Sequence, residues 1–142
     1  MSWWVYLQDD TQPPWCSYGQ IDFKPRYIGD EPCPVPCYPV VEVEAHSEGG
    51  TYVGGGTSAA ELNITYNYSD LFAEAWDGVG LREALDGRRA GEIIPALEHA
   101  VAYLGTEQDA DYWRASKGNA GYALSLLLAW ARQHPTVLLK VS

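Results

Sequence analysis

Positive charge is scarce in this sequence: nine lysines and arginines stand against nineteen aspartates and glutamates, for a formal net charge of −10. The shortage is uneven, with two bases against eleven acids in residues 1–75 and seven against eight in residues 76–142. Neutralising a run of duplex phosphates takes clustered lysine and arginine, so a duplex nucleic acid is excluded as partner, while a small anionic ligand stays compatible with the second half. Long apolar runs are missing as well. No stretch approaches the ~20 residues that cross a bilayer, and Met1 to Gln8 has neither the basic start nor the apolar core of a signal peptide. The expectation is a cytoplasmic chain without a membrane partner, in which the sequons Asn63-Ile64-Thr65 and Asn67-Tyr68-Ser69 are chance spellings. Catalytic signatures are also lacking: there is no nucleophile elbow, no P-loop and no HExxH pair.

What remains is a chain of 142 residues, the size of one domain, with 46% apolar and 20% charged residues. Its rings are mostly amphipathic. Six tryptophans and ten tyrosines against two phenylalanines suit half-buried walls and subunit contacts, and point to a homo-oligomer. Ser2 to Gln8 is rich in aromatic and β-branched residues and reads as a strand. Seven of the nine prolines follow by position 39, so residues 12–39 are expected to form a long irregular excursion without helix or central strand. Val40 to Ala45 alternates apolar with acidic residues, and glycine pairs and triplets then bracket Thr51-Tyr52-Val53. From Ala60 to Tyr66 the two-residue period places Leu62, Ile64 and Tyr66 on one face and Glu61, Asn63, Thr65 and Asn67 on the other.

Helical signals fill the second half. Ser69-Asp70 opens a short helix ending at about Trp76, and a short turn is expected at Leu81 to Leu85. Ile93, Leu97, Ala100, Val101 and Leu104 make a helical stripe over Ala90 to Leu104, where Pro95 predicts either a later start or a kink. Asn119 is expected to cap a helix from Ala120 to Gln133, and Val137 to Val141 reads as a last strand. Strands first, then helices with one returning strand, predict a single α+β domain with a mainly antiparallel sheet covered on one face by two or three helices.

Three constellations could carry chemistry. The first gathers His46, Thr51, Tyr52, Asn63, Thr65, Tyr66, Asn67 and Tyr68, whose amides, hydroxyls and rings suit the edge and face of a nucleobase. A solvated sheet face with cross-strand pairs explains the same residues without a ligand, although asparagine is depleted in strands. The second sets Arg82, Arg114 and Lys117, with Arg88 and Arg89, beside helix starts such as Gly118-Asn119, where free N–H groups favour phosphate; solvated cations and an ordinary cap are the plainer explanation. The third is Cys33 and Cys37, which with Cys16 and His46 would complete a zinc site. One CxxxC pair lacks the second pair that marks zinc ribbons, so no cofactor is expected and zinc is the alternative. His46 with Glu48 or Glu61 would serve as acid and base if the chain were an enzyme; His99 falls in a core helix pattern and His134 at a helix end.

The strings His46-Ser47-Glu48-Gly49-Gly50-Thr51-Tyr52 and Glu61-Leu62-Asn63-Ile64-Thr65-Tyr66-Asn67-Tyr68-Ser69 resemble a family of small uncharacterised proteins of tailed phages and prophages. The resemblance continues through Gly80-Leu81-Arg82, Asp111-Tyr112-Trp113 and Gly118-Asn119-Ala120, covering residues 1–10 and about 40–142 and leaving out the proline-rich excursion. It implies a phage origin and carries no catalytic residue. The resulting expectation is a non-enzymatic phage protein that captures a small nucleotide, such as an immune signal. The alternatives are a small phosphodiester or nucleotide hydrolase and an inhibitor of a host protein acting through the proline-rich aromatic arm.

Overall fold

The structure, a computed structural model, describes residues 1–8, 10, 27–28, 31–32, 47–48, 51–53, 61–111 and 113–142. In chain order the strands are β1 (Ser2–Gln8), the two-residue β2 (Tyr27–Ile28) and β3 (Glu31–Pro32), then β4 (Ser47–Glu48), β5 (Thr51–Val53) and β6 (Glu61–Thr65). Four helices follow, α1 (Ser69–Ala75), α2 (Leu81–Leu85), α3 (Ala90–Leu104) and α4 (Lys117–Gln133), before the final strand β7 (Leu138–Val141). The main sheet has the order β4-β5-β6-β1-β7, each neighbouring pair antiparallel, and β2 with β3 forms a separate hairpin. This is the expected α+β class. The expected strand at 40–45 and most of the proline-rich excursion lie outside the described residues.

Alternation along the strands decides which face meets the helices. Val5, Leu7, Leu62, Ile64, Leu139 and Val141 are buried and share one core with Phe72 of α1, Leu97 of α3, and Leu124, Leu127 and Trp130 of α4. The residues between them, Trp4, Tyr6, Asn63 and Lys140, face away from that core. The outer edge of β7 is occupied by the link between α2 and α3: Gly87 N–H donates to the Leu139 carbonyl at 2.8 Å, and Leu139 N–H to the Arg88 carbonyl at 2.9 Å. Such cover removes a row of groups that would otherwise pair with another chain. Gly87 holds φ at +72°, a conformation open to glycine.

α3 starts at the expected Ala90 and not at Pro95, whereas the start of α4 departs from the sequence reading. α3 begins ahead of Pro95 because its first turn is anchored from outside. Ala90 and Gly91 donate to the carbonyls of Val137 and Pro135 at 2.8 and 2.7 Å, which satisfies N–H groups that no intrahelical bond reaches. α4 begins at Lys117 and its cap is Ser116, whose hydroxyl accepts from Asn119 N–H at 3.2 Å. Asn119 is therefore inside the first turn. α3 and α4 pack closely at Gly121, where a Cβ would run into the Gly105 carbonyl.

Candidate functional site

β6 ends at Thr65, one residue short of the expected strand, and this rearranges the ring-and-amide cluster. Thr65 is buried, and its Oγ1 accepts from Asn67 N–H at 3.3 Å, capping a 3-10 turn over Tyr66–Tyr68. Tyr66 consequently leaves the Leu62–Ile64 face and stands half-exposed with its ring edge-on to Trp3, centroids 4.6 Å apart. Tyr68 turns inward instead. It is buried against Phe72 in the core, so it offers no stacking wall to a ligand, contrary to the sequence reading. Asn67 is also off the strand, donating from Nδ2 to the Trp113 carbonyl at 3.1 Å.

Asn63 keeps its expected place on the outward face. Its Nδ2 donates to Ser2 Oγ at 2.7 Å and weakly to the Trp3 carbonyl at 3.4 Å, which orients the amide and leaves its oxygen without a partner among the described residues. The register sets Asn63 between Trp4 on β1 and Tyr52 on β5, with Ser47 opposite Tyr52. The next row aligns Glu61, Tyr6 and Lys140. Trp4 is 39% exposed, and no helix covers this face among the described residues. Among the described residues the result is a sheet surface with rings, an amide acceptor and one cation in adjacent rows.

The second constellation does not assemble. Arg82 lies on the end of β7, its Nε and Nη2 both donating to the Val141 carbonyl at 3.3 Å. Arg114 pairs with Asp109 at 3.4 Å, and Lys117 with Glu74 at 3.8 Å while lying over the Tyr103 ring. Tyr103 donates to the same Glu74 at 2.6 Å, an interaction that holds its phenol above the ordinary range. Asn119 is buried and pins the preceding loop: its Oδ1 accepts from Asp109 N–H at 2.8 Å, and its Nδ2 donates to the carbonyls of Asp111 and Arg114, each at 3.0 Å. These contacts account for the group without phosphate. Asn67, Arg114, Lys117 and Asn119 do gather about the start of α4, whereas Arg82 stands apart.

His46, Cys16, Cys33 and Cys37 lie outside the described residues, and of Glu48, Thr51 and Tyr52 the backbone alone is placed. Among the described residues no group of three or more His, Cys, Asp or Glu is arranged to hold a metal ion, and no helix is long and apolar enough to cross a membrane.

A cleft beside α3, about 400 Å³ in volume and not foreshadowed by the three constellations, is lined by Trp76, Asp77, Arg88, Glu92 and His99 among others. His99 is exposed there and does not belong to the core, a correction to the helical-stripe reading. The signal was present in the spacing: Glu92, Ala96 and His99 recur at one-turn intervals on a single helix face. Compared with protein-family models, with curated proteins and with solved structures, the chain matches none.

Proposed function

We propose that the chain is a non-catalytic binding protein for a small nucleotide, taken up on the face of the sheet opposite α1, α3 and α4. The observation that carries this reading is the register that brings Trp4, Asn63 and the Tyr52 position into one row beside Tyr6 and Lys140. Exposed rings on a strand supply stacking worth about 1–3 kcal/mol per base. The Asn63 amide, oriented by Ser2, presents an acceptor to a base edge, and Lys140 places a positive charge on a face of an otherwise acidic chain. The phage resemblance supplies the role: sequestration of a nucleotide immune signal in the host cytoplasm by an assembly of identical subunits.

Calorimetric titration with cyclic dinucleotides, ADP-ribose and nucleoside monophosphates tests the reading, followed by denaturation, mass spectrometry of the recovered ligand and native mass spectrometry of the assembly. Saturable binding with intact ligand is expected, weakened about tenfold to a hundredfold by Trp4→Ala or Asn63→Ala. Equal affinity in both variants refutes the sheet face. Recovery of cleaved ligand replaces the binding protein with a hydrolase.

A further inference from the structure

The turn after α1, α2 and α3 from Glu92 to His99 line an open cleft of about 400 Å³, a volume within the range of small-molecule sites. Its body is apolar, formed by Trp76, Val79 and Ile93. Trp76 is preset: its indole N–H donates to the Ala96 carbonyl at 3.0 Å, and its ring packs at 6.0 Å from Phe72. A wall held in this way binds a flat group without the cost of ordering it first.

Asp77, Arg88, Glu92 and His99 bring charge and hydrogen-bonding capacity to the same cleft. None of the four side chains has a hydrogen bond or ion pair among the described residues. Arg88 is the exception among the described arginines, since Arg82 is held by the Val141 carbonyl, Arg89 by Asp10, Arg114 by Asp109 and Arg132 by Glu98. A neighbouring cleft contains Arg89, but that cation is already engaged. Opposite charges that share a cleft without neutralising each other suit a ligand carrying both signs. Two carboxylates in the lining also work against a polyphosphate or a dinucleotide.

The positions along α3 sort the two ends. Glu92 is in its first turn with Arg88 just before it, Ala96 follows about 6 Å along the axis, and His99 about 10 Å from Glu92. Trp76 is tied to Ala96 and His99 lies a turn further on, so the ring wall and a polar group come after the Arg88–Glu92 end, with Asp77 also in the lining. We propose that this cleft binds a free aromatic amino acid with a polar ring hydrogen, tryptophan or tyrosine. Its carboxylate meets Arg88, its ammonium meets Glu92, its ring lies along Trp76, and its ring N–H or O–H reaches Asp77 or His99. Arginine gives a carboxylate a bidentate, charge-assisted partner, and the buried ring supplies the apolar part of the affinity.

The test is calorimetric titration of the whole chain with L-tryptophan, tryptamine, which lacks the carboxylate, and N-acetyl-L-tryptophan, which lacks the ammonium. L-tryptophan is expected to bind saturably, with each truncated compound at least about tenfold weaker. Arg88→Gln should abolish the preference over tryptamine and Arg88→Lys should recover part of it, whereas Glu92→Gln should abolish the preference over the N-acetyl compound. Arg88 and Glu92 are exposed, so unchanged melting temperatures will show that the variants fold. Absence of saturable heat at millimolar L-tryptophan overturns the proposal. So does equal affinity for the three compounds, or wild-type discrimination in both Arg88→Gln and Glu92→Gln.

Discussion

Replacing Asn119 with alanine tests whether this residue organises the loop before α4 or serves a ligand. The carboxamide makes three bonds in a buried setting, one accepted from Asp109 N–H and two donated to the carbonyls of Asp111 and Arg114. Alanine keeps the backbone bond to the Ser116 cap, so helix initiation is preserved and the loss is confined to the loop. Each bond contributes about 0.5–1.5 kcal/mol net, and a buried donor left unmade costs more than a solvated one, so the expected destabilisation is about 2–4 kcal/mol. For a domain of this size that corresponds to a fall in melting temperature of roughly 5–15 °C. The loop also carries the Trp113 carbonyl that receives Asn67, so the loosening should spread to the 3-10 turn at Tyr66–Tyr68. Urea unfolding gives the free energy, and amide hydrogen exchange should show faster exchange at Asp109, Asp111 and Asn67. A loss under about 0.5 kcal/mol, the level of an ordinary surface substitution, would refute the structural role and return Asn119 to the ligand-binding candidates.

Gly121→Ala should destabilise, although helix propensity alone favours alanine by about 1 kcal/mol. The new Cβ meets the Gly105 carbonyl at the α3–α4 crossing, and a higher melting temperature would show that the crossing is looser than described. Asp10 is held below the ordinary carboxylate value chiefly by the hydrogen bonds from Arg89, at 2.6 and 2.9 Å. A depressed folded-state pKa contributes stability above the ordinary value, and that contribution disappears as pH falls through the lowered one. NMR titration of Asp10 should show its pKa rising towards 3.8 in Arg89→Ala, and an unchanged midpoint would break the assignment.

The sequence alone determined the element types and most of their limits, because burial on one face imposes a period that can be read locally. Ser2–Gln8, Leu81–Leu85 and Ala90–Leu104 stand where alternation, turn residues and the helical stripe placed them. It also placed Asn63 on the outward strand face, since side-chain direction follows from the period once the buried residues are known. Tertiary structure decided what depends on partners remote in sequence. Tyr66 could extend the strand by propensity, but the hydroxyl of Thr65, the last strand residue, caps a turn there, which sends Tyr68 into the core and leaves Tyr66 half-exposed. The charges of Arg114 and Lys117 look available in the sequence and are taken up by Asp109 and Glu74 in space. The converse holds for Arg88 and His99, which a solvated loop and a core stripe explained well enough, until α2 and the end of α1 came alongside α3 and left them in one cleft with Glu92. A period reports which way a residue points, but whether its polar atoms are satisfied depends on neighbours brought in from distant parts of the chain, and those are set by packing.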